Sequence, residues 1–248
     1  MKTSPRIIAN YIIFAFLFAG AALLVGKSAT LSNLASTNAT TPTIAETEQV
    51  QLVIDPGHGG EDGGANVGDL MEKDLNLTVA KNLDMICAIF GYSAKMTRTE
   101  DTLLYDHYGD LSDYTGHKKT YDLKNRLRIA EESGAELFVG IHMNKFPEPK
   151  YRGLQVYYSE NSSDSHAVAR TVQSYAKKYL TPDNEREVKS AGDSIYILKR
   201  IGIPAILVEC GFMSNPEECT SLQTPEYRTR LASVIFASSA EYLVRGEK

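Results

Sequence analysis

Three apolar runs in this chain each end in a side chain that can hold a metal or move a proton, and this pattern constrains the fold more than any other. Val53-Ile54-Asp55 leads into Pro56-Gly57-His58-Gly59-Gly60, Leu137-Phe138-Val139-Gly140-Ile141 ends in His142, and Ala205-Ile206-Leu207-Val208 ends in Glu209. Short continuous apolar runs are the signature of strands buried on both faces. In open α/β sheets, sites are built in the crevice at the carboxyl ends of the strands. The two imidazoles and the carboxylate are therefore expected to converge.

From Val50 onward strand and helix patterns alternate, as in a sheet with crossover helices. Gln51 to Asp55 reads as the first strand. Asp74 reads as the N-cap of a helix with the apolar stripe Leu75, Val79, Leu83, Ile86 and Phe90, ended by Gly91. Tyr92 to Thr97 returns as a strand, and Leu123 to Glu132 forms a second helix stopped at Gly134. Ala135 to His142 and Gly153 to Tyr158 read as strands, and Val168, Val172, Tyr175 and Tyr179 mark a third helix closed before Pro182. Ser194 to Leu198 and Ala205 to Cys210 read as extended, and Pro225 opens a last helix that turns Tyr227, Leu231, Val234, Ile235 and Tyr242 inward. The expectation is a single α/β domain over residues 50–248, with a mostly parallel or mixed sheet of about six strands and helices on both faces. Thr102 to Thr120 fits neither period and reads as a long surface loop, a functional lid or a disordered stretch.

Residues 1–27 are of a different kind. Lys2 and Arg6 precede an apolar run from Ile7 to Val25 closed by Lys27, which reads as a signal peptide or, uncleaved, as a membrane anchor. The positive charges ahead of the run place the remainder outside the cytoplasm, exported to the wall or tethered facing outward. Residues 28–49, rich in Ser, Thr, Asn and Ala, read as a disordered linker. A formal net charge of -5 argues against nucleic acid, which calls for a basic face. Cys87, Cys210 and Cys219 form no C-x-x-C pair, so thiolate zinc and a disulfide framework are not expected; a Cys210–Cys219 bond stays open, with burial as small hydrophobes the preferred reading.

Catalytic zinc takes three nitrogen or oxygen ligands and leaves one position for water. His58, His142 and Glu72 make such a set, Glu72 lying just before the expected helix start in Leu70-Met71-Glu72-Lys73-Asp74. Glu209 is placed to act as the proton-transfer group. A carboxylate at the end of an apolar strand needs a positive partner, which a metal, Lys199 or Arg98 would supply. Taken singly, His58 is more ordinarily a turn residue, and His107, His117 and His166 read as solvated. Cys210 reads as inert packing rather than a nucleophile.

The segments Asp55-Pro56-Gly57-His58-Gly59-Gly60, Glu72-Lys73-Asp74-Leu75-Asn76-Leu77, Ile141-His142-Met143-Asn144 and Val208-Glu209-Cys210-Gly211-Phe212-Met213-Ser214-Asn215 together resemble the zinc-dependent N-acetylmuramoyl-L-alanine amidases. The resemblance covers residues 51–243. It implies hydrolysis of the amide between N-acetylmuramic acid and L-alanine in bacterial peptidoglycan, with Zn2+ held by His58, Glu72 and His142 and with Glu209 catalytic. Arg98 and Arg126 fall where the family has arginines, without an assignable role. Lys118-Lys119-Thr120-Tyr121-Asp122 and Lys145-Phe146-Pro147 look most like the sporulation amidase of endospore formers, which prepares muramic lactam in the cortex. Met143 and Gly140 depart from the small residue and the serine common at those positions. With no wall-binding repeat apparent, substrate capture falls to the domain, its tether or an activating partner protein. The alternatives are a zinc peptidase or carboxypeptidase on stem peptides, and a catalytically silent wall-binding regulator.

Overall fold

The computed structural model describes residues 49–246, so the expectations for residues 1–27 and most of 28–49 lie outside the described residues. The strands are β1 (Leu52–Pro56), β2 (Asn66–Val67), β3 (Leu70–Met71), β4 (Ala94–Met96), β5 (Leu137–Asn144), β6 (Gln155–Tyr158), β7 (Lys189–Ser190) and β8 (Ala205–Phe212). The helices are α1 (Glu72–Ile89), α2 (Lys118–Glu132), α3 (Ser163–Tyr179), α4 (Tyr196–Arg200), α5 (Pro216–Leu222) and α6 (Pro225–Gly246). A six-stranded sheet has the order β4-β1-β5-β8-β6-β7, and β2 and β3 form a separate antiparallel hairpin. β4, β1, β5 and β8 run parallel, while β6 is antiparallel to β8, so the sheet is mixed.

The chain leaves β1 through α1 to β4 on one side, then crosses through α2 to β5 on the other. The reversal at β1 opens a crevice between the carboxyl ends of β1 and β5, the position at which ligands bind in such sheets. β1 is buried along its whole length, which is why Leu52, Val53 and Ile54 are apolar without alternation.

The two faces of the sheet are packed differently. On one face Leu52, Ile54, Leu137, Val139, Ile141, Ile206 and Val208 meet Leu75, Val79 and Leu83 of α1, Val168 and Val172 of α3, and Leu231 and Ile235 of α6. On the other, Val53, Phe138, Ala205 and Leu207 meet a smaller group, with Ala130 of α2 and Ile197 and Leu198 of α4. Full burial of a Leu or Val side chain contributes about 1.5–3 kcal/mol, so the first face carries most of the hydrophobic stabilisation.

Three element expectations need correction. α1 starts at Glu72 rather than after an Asp74 cap, and its N-cap residue Met71 makes no side-chain capping bond. The orphan amides of Glu72 and Lys73 instead donate to the carbonyls of Ala65 (2.8 Å) and Gly63 (3.2 Å), so the preceding loop caps the helix. Ser194 to Leu198 is not a strand: it leads into α4, whose first turn is shown by Lys199 N–H donating to Ile195 O at 3.0 Å, and it lies on the sheet face. α2 begins at Lys118, five residues before the expected start at Leu123.

The long segment before α2 is tied down at several points. Leu103 and Leu104 are buried, the Leu104 amide donates to Asp122 at 2.7 Å, and Asn125 donates to the carbonyls of Leu104 and Tyr105. Cys87, Cys210 and Cys219 are buried free thiols, and no Cys210–Cys219 bond forms. Burial pushes the Cys87 thiol up to about 12, and the Cys210 thiol is raised by the same cause. Among the described residues no helix is long and apolar enough to cross a membrane.

Candidate active site

His58 follows β1 on the glycine-rich turn, with a left-handed backbone (φ 62°) that a non-glycine residue adopts only at a cost of about 1–3 kcal/mol. The turn is held from several sides. Arg98 donates through Nε to Pro56 O (2.9 Å) and through Nη2 to Gly57 O (3.0 Å), and Asn76 donates to Gly57 O at 3.1 Å. Arg126, 1% exposed, donates through Nη1 to Pro56 O (2.8 Å) and through Nη2 to His58 O (2.6 Å). On the outer side, Lys73 Nζ donates to Gly60 O while Asp101 accepts from both Lys73 and the Gly60 amide, each at 2.7 Å. The carbonyls of Pro56, Gly57 and His58 thus point at buried donors, and the imidazole is aimed by its backbone.

Arg126 is itself set by charge. It pairs with Asp55 at 2.7 Å and, one helical turn back, with Asp122 at 2.8 Å, and Asp55 also accepts from Thr97 Oγ1 at 2.5 Å. Burial alone would raise the Asp55 pKa, but Arg126 and Thr97 hold it below the usual carboxylate range.

His58, Glu72 and His142 each place one donor atom within 4.8 Å of the others. Glu72 Oε1 lies 3.3 Å from His58 Nε2 and 3.1 Å from His142 Nδ1, and it accepts from the Met143 amide at 3.1 Å; Oε2 accepts from the Ala65 amide at 2.8 Å. Burial would raise the Glu72 pKa, but the hydrogen bonds and charges of His142 and His58 hold the carboxyl far below its ordinary value. His58 Nδ1 lies 3.0 Å from Asp62 Oδ2. Burial lowers the His58 pKa, yet Glu72 and Asp62 together raise it. A histidine backed by a carboxylate on its second nitrogen is the usual arrangement around metal-binding imidazoles, because it fixes the tautomer.

Close backbone approach makes this geometry achievable. A Cβ on Gly57 would lie 2.1 Å from the His142 ring, and one on Gly64 would lie 2.6 Å from Glu72 Oε2. Only glycine leaves room for the ligand-type side chains at these two positions.

Glu209 on β8 stands at the same register as His142 on β5, so the two side chains share a face of the sheet. Its Oε2 is buried and has no hydrogen-bond partner. Neither sequence-suggested cation pairs with it: Lys199 pairs with Asp193 at 2.5 Å, and Arg98 is spent on carbonyls. Burial pushes the carboxyl up to about 7, His142 and His58 pull it down, and Glu72 adds to the rise. His58, His142 and Glu209 border a cavity of 310 Å³ whose wall includes Lys119, Phe138, Ile195 and Tyr196, with Glu72 buried behind the two imidazoles. His107, His117 and His166 are exposed and far from forming such a cluster.

The profile of the N-acetylmuramoyl-L-alanine amidase family matches residues 52–239. The chain belongs to this family. Among its relatives, the germination-specific N-acetylmuramoyl-L-alanine amidase of Bacillus subtilis is 34% identical over 191 residues, 77% of this chain and 78% of the relative. Among solved structures, the CwlD amidase of Clostridioides difficile, in complex with the GerS lipoprotein, is 36% identical with a TM-score of 0.72 over 79% of this chain and 99% of that one. The amidase AmiC2 of Nostoc punctiforme is 32% identical with a TM-score of 0.65 over 79% and 98%.

Several residues of this amidase's site were not assigned from sequence. Asp62 is one, although its place four residues after His58 within the same turn was a usable signal. The positioning work of Arg98, Arg126, Asn76, Lys73 and Asp101 had no local signal, because these side chains act over 13 to 71 residues of sequence. At Gly140 a Cβ would meet Leu207 Cγ at 3.4 Å, so a serine there would need only a small adjustment of that flexible side chain.

Proposed function

We propose that this amidase is a zinc enzyme that hydrolyses the amide joining the lactyl group of N-acetylmuramic acid to L-alanine of the peptidoglycan stem peptide. The observation that carries the reading is the clustering of His58, Glu72 and His142 beside the unpartnered buried Oε2 of Glu209. The fit to zinc rests on donor chemistry: two imidazoles and one carboxylate, with Asp62 behind His58, suit a three-ligand catalytic site.

When bound, zinc lowers the pKa of a coordinated water to about 7 and polarises the scissile carbonyl. His58, Glu72 and His142 are the residues that would hold it. Asp62 accepts a hydrogen bond from His58 Nδ1–H and so leaves the Nε2 lone pair, on the Glu72 side, free to ligate a cation. Glu209 Oε2 takes a proton from the attacking water and delivers it to the leaving L-alanine nitrogen, a task suited to a carboxyl whose burial places its pKa near neutrality. Arg98 and Arg126 keep the His58 turn in its left-handed form, so the ligand set needs little rearrangement.

Peptidoglycan as substrate places the work outside the cytoplasm. A role in cortex maturation is supported by the germination-specific relative. The CwlD amidase and its lipoprotein partner support an activator for this chain as well.

The test is mass spectrometry of peptidoglycan treated with the purified protein, with chelator, and with chelator followed by zinc. Release of intact stem peptides with free L-alanine amino termini, lost on chelation and restored by zinc, is expected. Cleavage within the stem peptide would overturn the reading, and no cleavage from a folded and zinc-loaded protein would point to a missing activator or a different bond.

A further inference from the structure

A row of side chains crosses the sheet at one level. His142 on β5 is in register with Glu209 on β8, and Glu209 is in register with Gln155 on β6, so all three share the face that carries the site. Gln155 is 1% exposed, and its Oε1 accepts from Arg186 Nη1 at 3.0 Å while its Nε2 donates to Glu187 O. The row therefore ends in a guanidinium.

That guanidinium is held in place. Arg186 Nε donates to Arg152 O at 2.8 Å, its plane centre lies 4.4 Å from the Phe212 ring and 5.9 Å from the Tyr151 ring, and its backbone amide donates to Asn184 Oδ1 at 3.0 Å. Asn184 is buried and donates in turn to Leu154 O at 2.9 Å, so the loop is pinned to the start of β6. Of the nearby carboxylates, Glu185 pairs with Lys177, Asp183 and Glu217 pair with Arg152, and the buried Glu218 accepts from the Gly153 and Phe212 amides and feels Arg186 only through space. Arg186 makes no ion pair among the described residues, and both bonds of its head group go to neutral oxygens. A half-buried cation fixed by neutral acceptors and an aromatic ring, with Nη2 unspent, is built to receive an anion.

Its side of the site identifies which anion. Resting on the amidase reading above, Glu209 delivers its proton to the leaving nitrogen, so the departing peptide lies on the Glu209 side and the glycan on the His58 side. Arg186 lies beyond Glu209, one strand spacing of about 4.8 Å and a side-chain contact away, and a peptide advances about 3.3–3.6 Å per residue. We propose that Arg186 is a specificity residue that binds the free carboxylate of the stem residue following L-alanine, with the exposed rings of Phe146 and Tyr151, packed at 4.8 Å, forming the wall beside it.

The experiment compares two synthetic disaccharide tetrapeptides, identical except that this carboxylate is free in one and a carboxamide in the other, using zinc-loaded protein. The wild type is expected to favour the free acid roughly 10- to 100-fold in kcat/KM, the worth of one charge-assisted hydrogen bond. Arg186→Gln is expected to bring the two rates together, and Arg186→Lys to restore part of the preference through its point charge. A wild type that does not distinguish the substrates overturns the proposal, as does an Arg186→Gln variant, folded by its melting curve, that slows both equally and keeps their ratio. Cleavage within the peptide of either substrate, with the muramoyl amide left intact, would instead sink the amidase reading, and this inference with it.

Discussion

The two faces of the sheet are built from the same strands yet from opposite materials. Toward α1, α3 and α6 the strands present Leu, Ile and Val to a broad apolar core. Toward α2 and α4 the same strands present Asp55, His142, Glu209 and Gln155 at one end, with the buried Arg126 among them, beside a smaller apolar group around Val53, Phe138 and Leu207. Strand alternation makes this division possible: each residue committed to the core leaves its neighbour free for chemistry. Stability and reactivity are thereby assigned to opposite sides of one sheet, and each can be disturbed with limited effect on the other.

The sharpest separation is expected from Glu209→Gln. Removing the proton-transfer group should lower kcat by about 10²- to 10⁴-fold, with zinc content and melting temperature kept; a zinc-loaded variant with full turnover would show that Glu209 has no such part. Arg126→Met should blur the division, since it strands Asp55, Asp122 and two turn carbonyls. We expect a loss of about 3–5 kcal/mol in denaturant unfolding, accompanied by weaker zinc binding. Leu83→Ala, on the apolar face, should cost a comparable or smaller 2–5 kcal/mol yet leave zinc affinity in competition with a chelating dye unchanged.

The smallest effect concerns pH. In the metal-free protein Glu209 titrates near 7, above its ordinary 4.5, so the folded state binds its proton more tightly than the unfolded chain. That contribution to stability is fully present below about pH 4.5 and is lost as pH rises through 7. Glu209→Gln should therefore raise metal-free stability by about 1–3 kcal/mol at pH 8, with little gain at pH 4.5. Equal gains at both values would show that the carboxyl is not strained by burial.

The apolar runs exposed β1, β5 and β8 and the residues at their ends because those signals are local and periodic. What the sequence hid is what depends on distance. Asp74 looked like a cap, but carbonyls of Gly63 and Ala65, brought round by the hairpin, already served the first amides of α1. Ser194 to Leu198 had strand-like composition, but the edge of β6 is taken by Lys189–Ser190, and the segment found its burial on the sheet face instead. His58, Glu72, His142 and Glu209 were legible as chemistry-bearing residues, whereas the arginines that shape the turn were not, since their partners are main-chain carbonyls that any residue would offer.

The contact between Gly57 and His142 bears on how such an enzyme can diversify. One wall of the pocket is main chain pressed against a ligand-type ring, where even a methyl group has no room. Descendants of this chain cannot adjust that wall by point substitution without displacing the imidazole. New substrate preferences must arise elsewhere on the wall, among residues such as Ile195 and Tyr196, where side chains rather than backbone line the cavity.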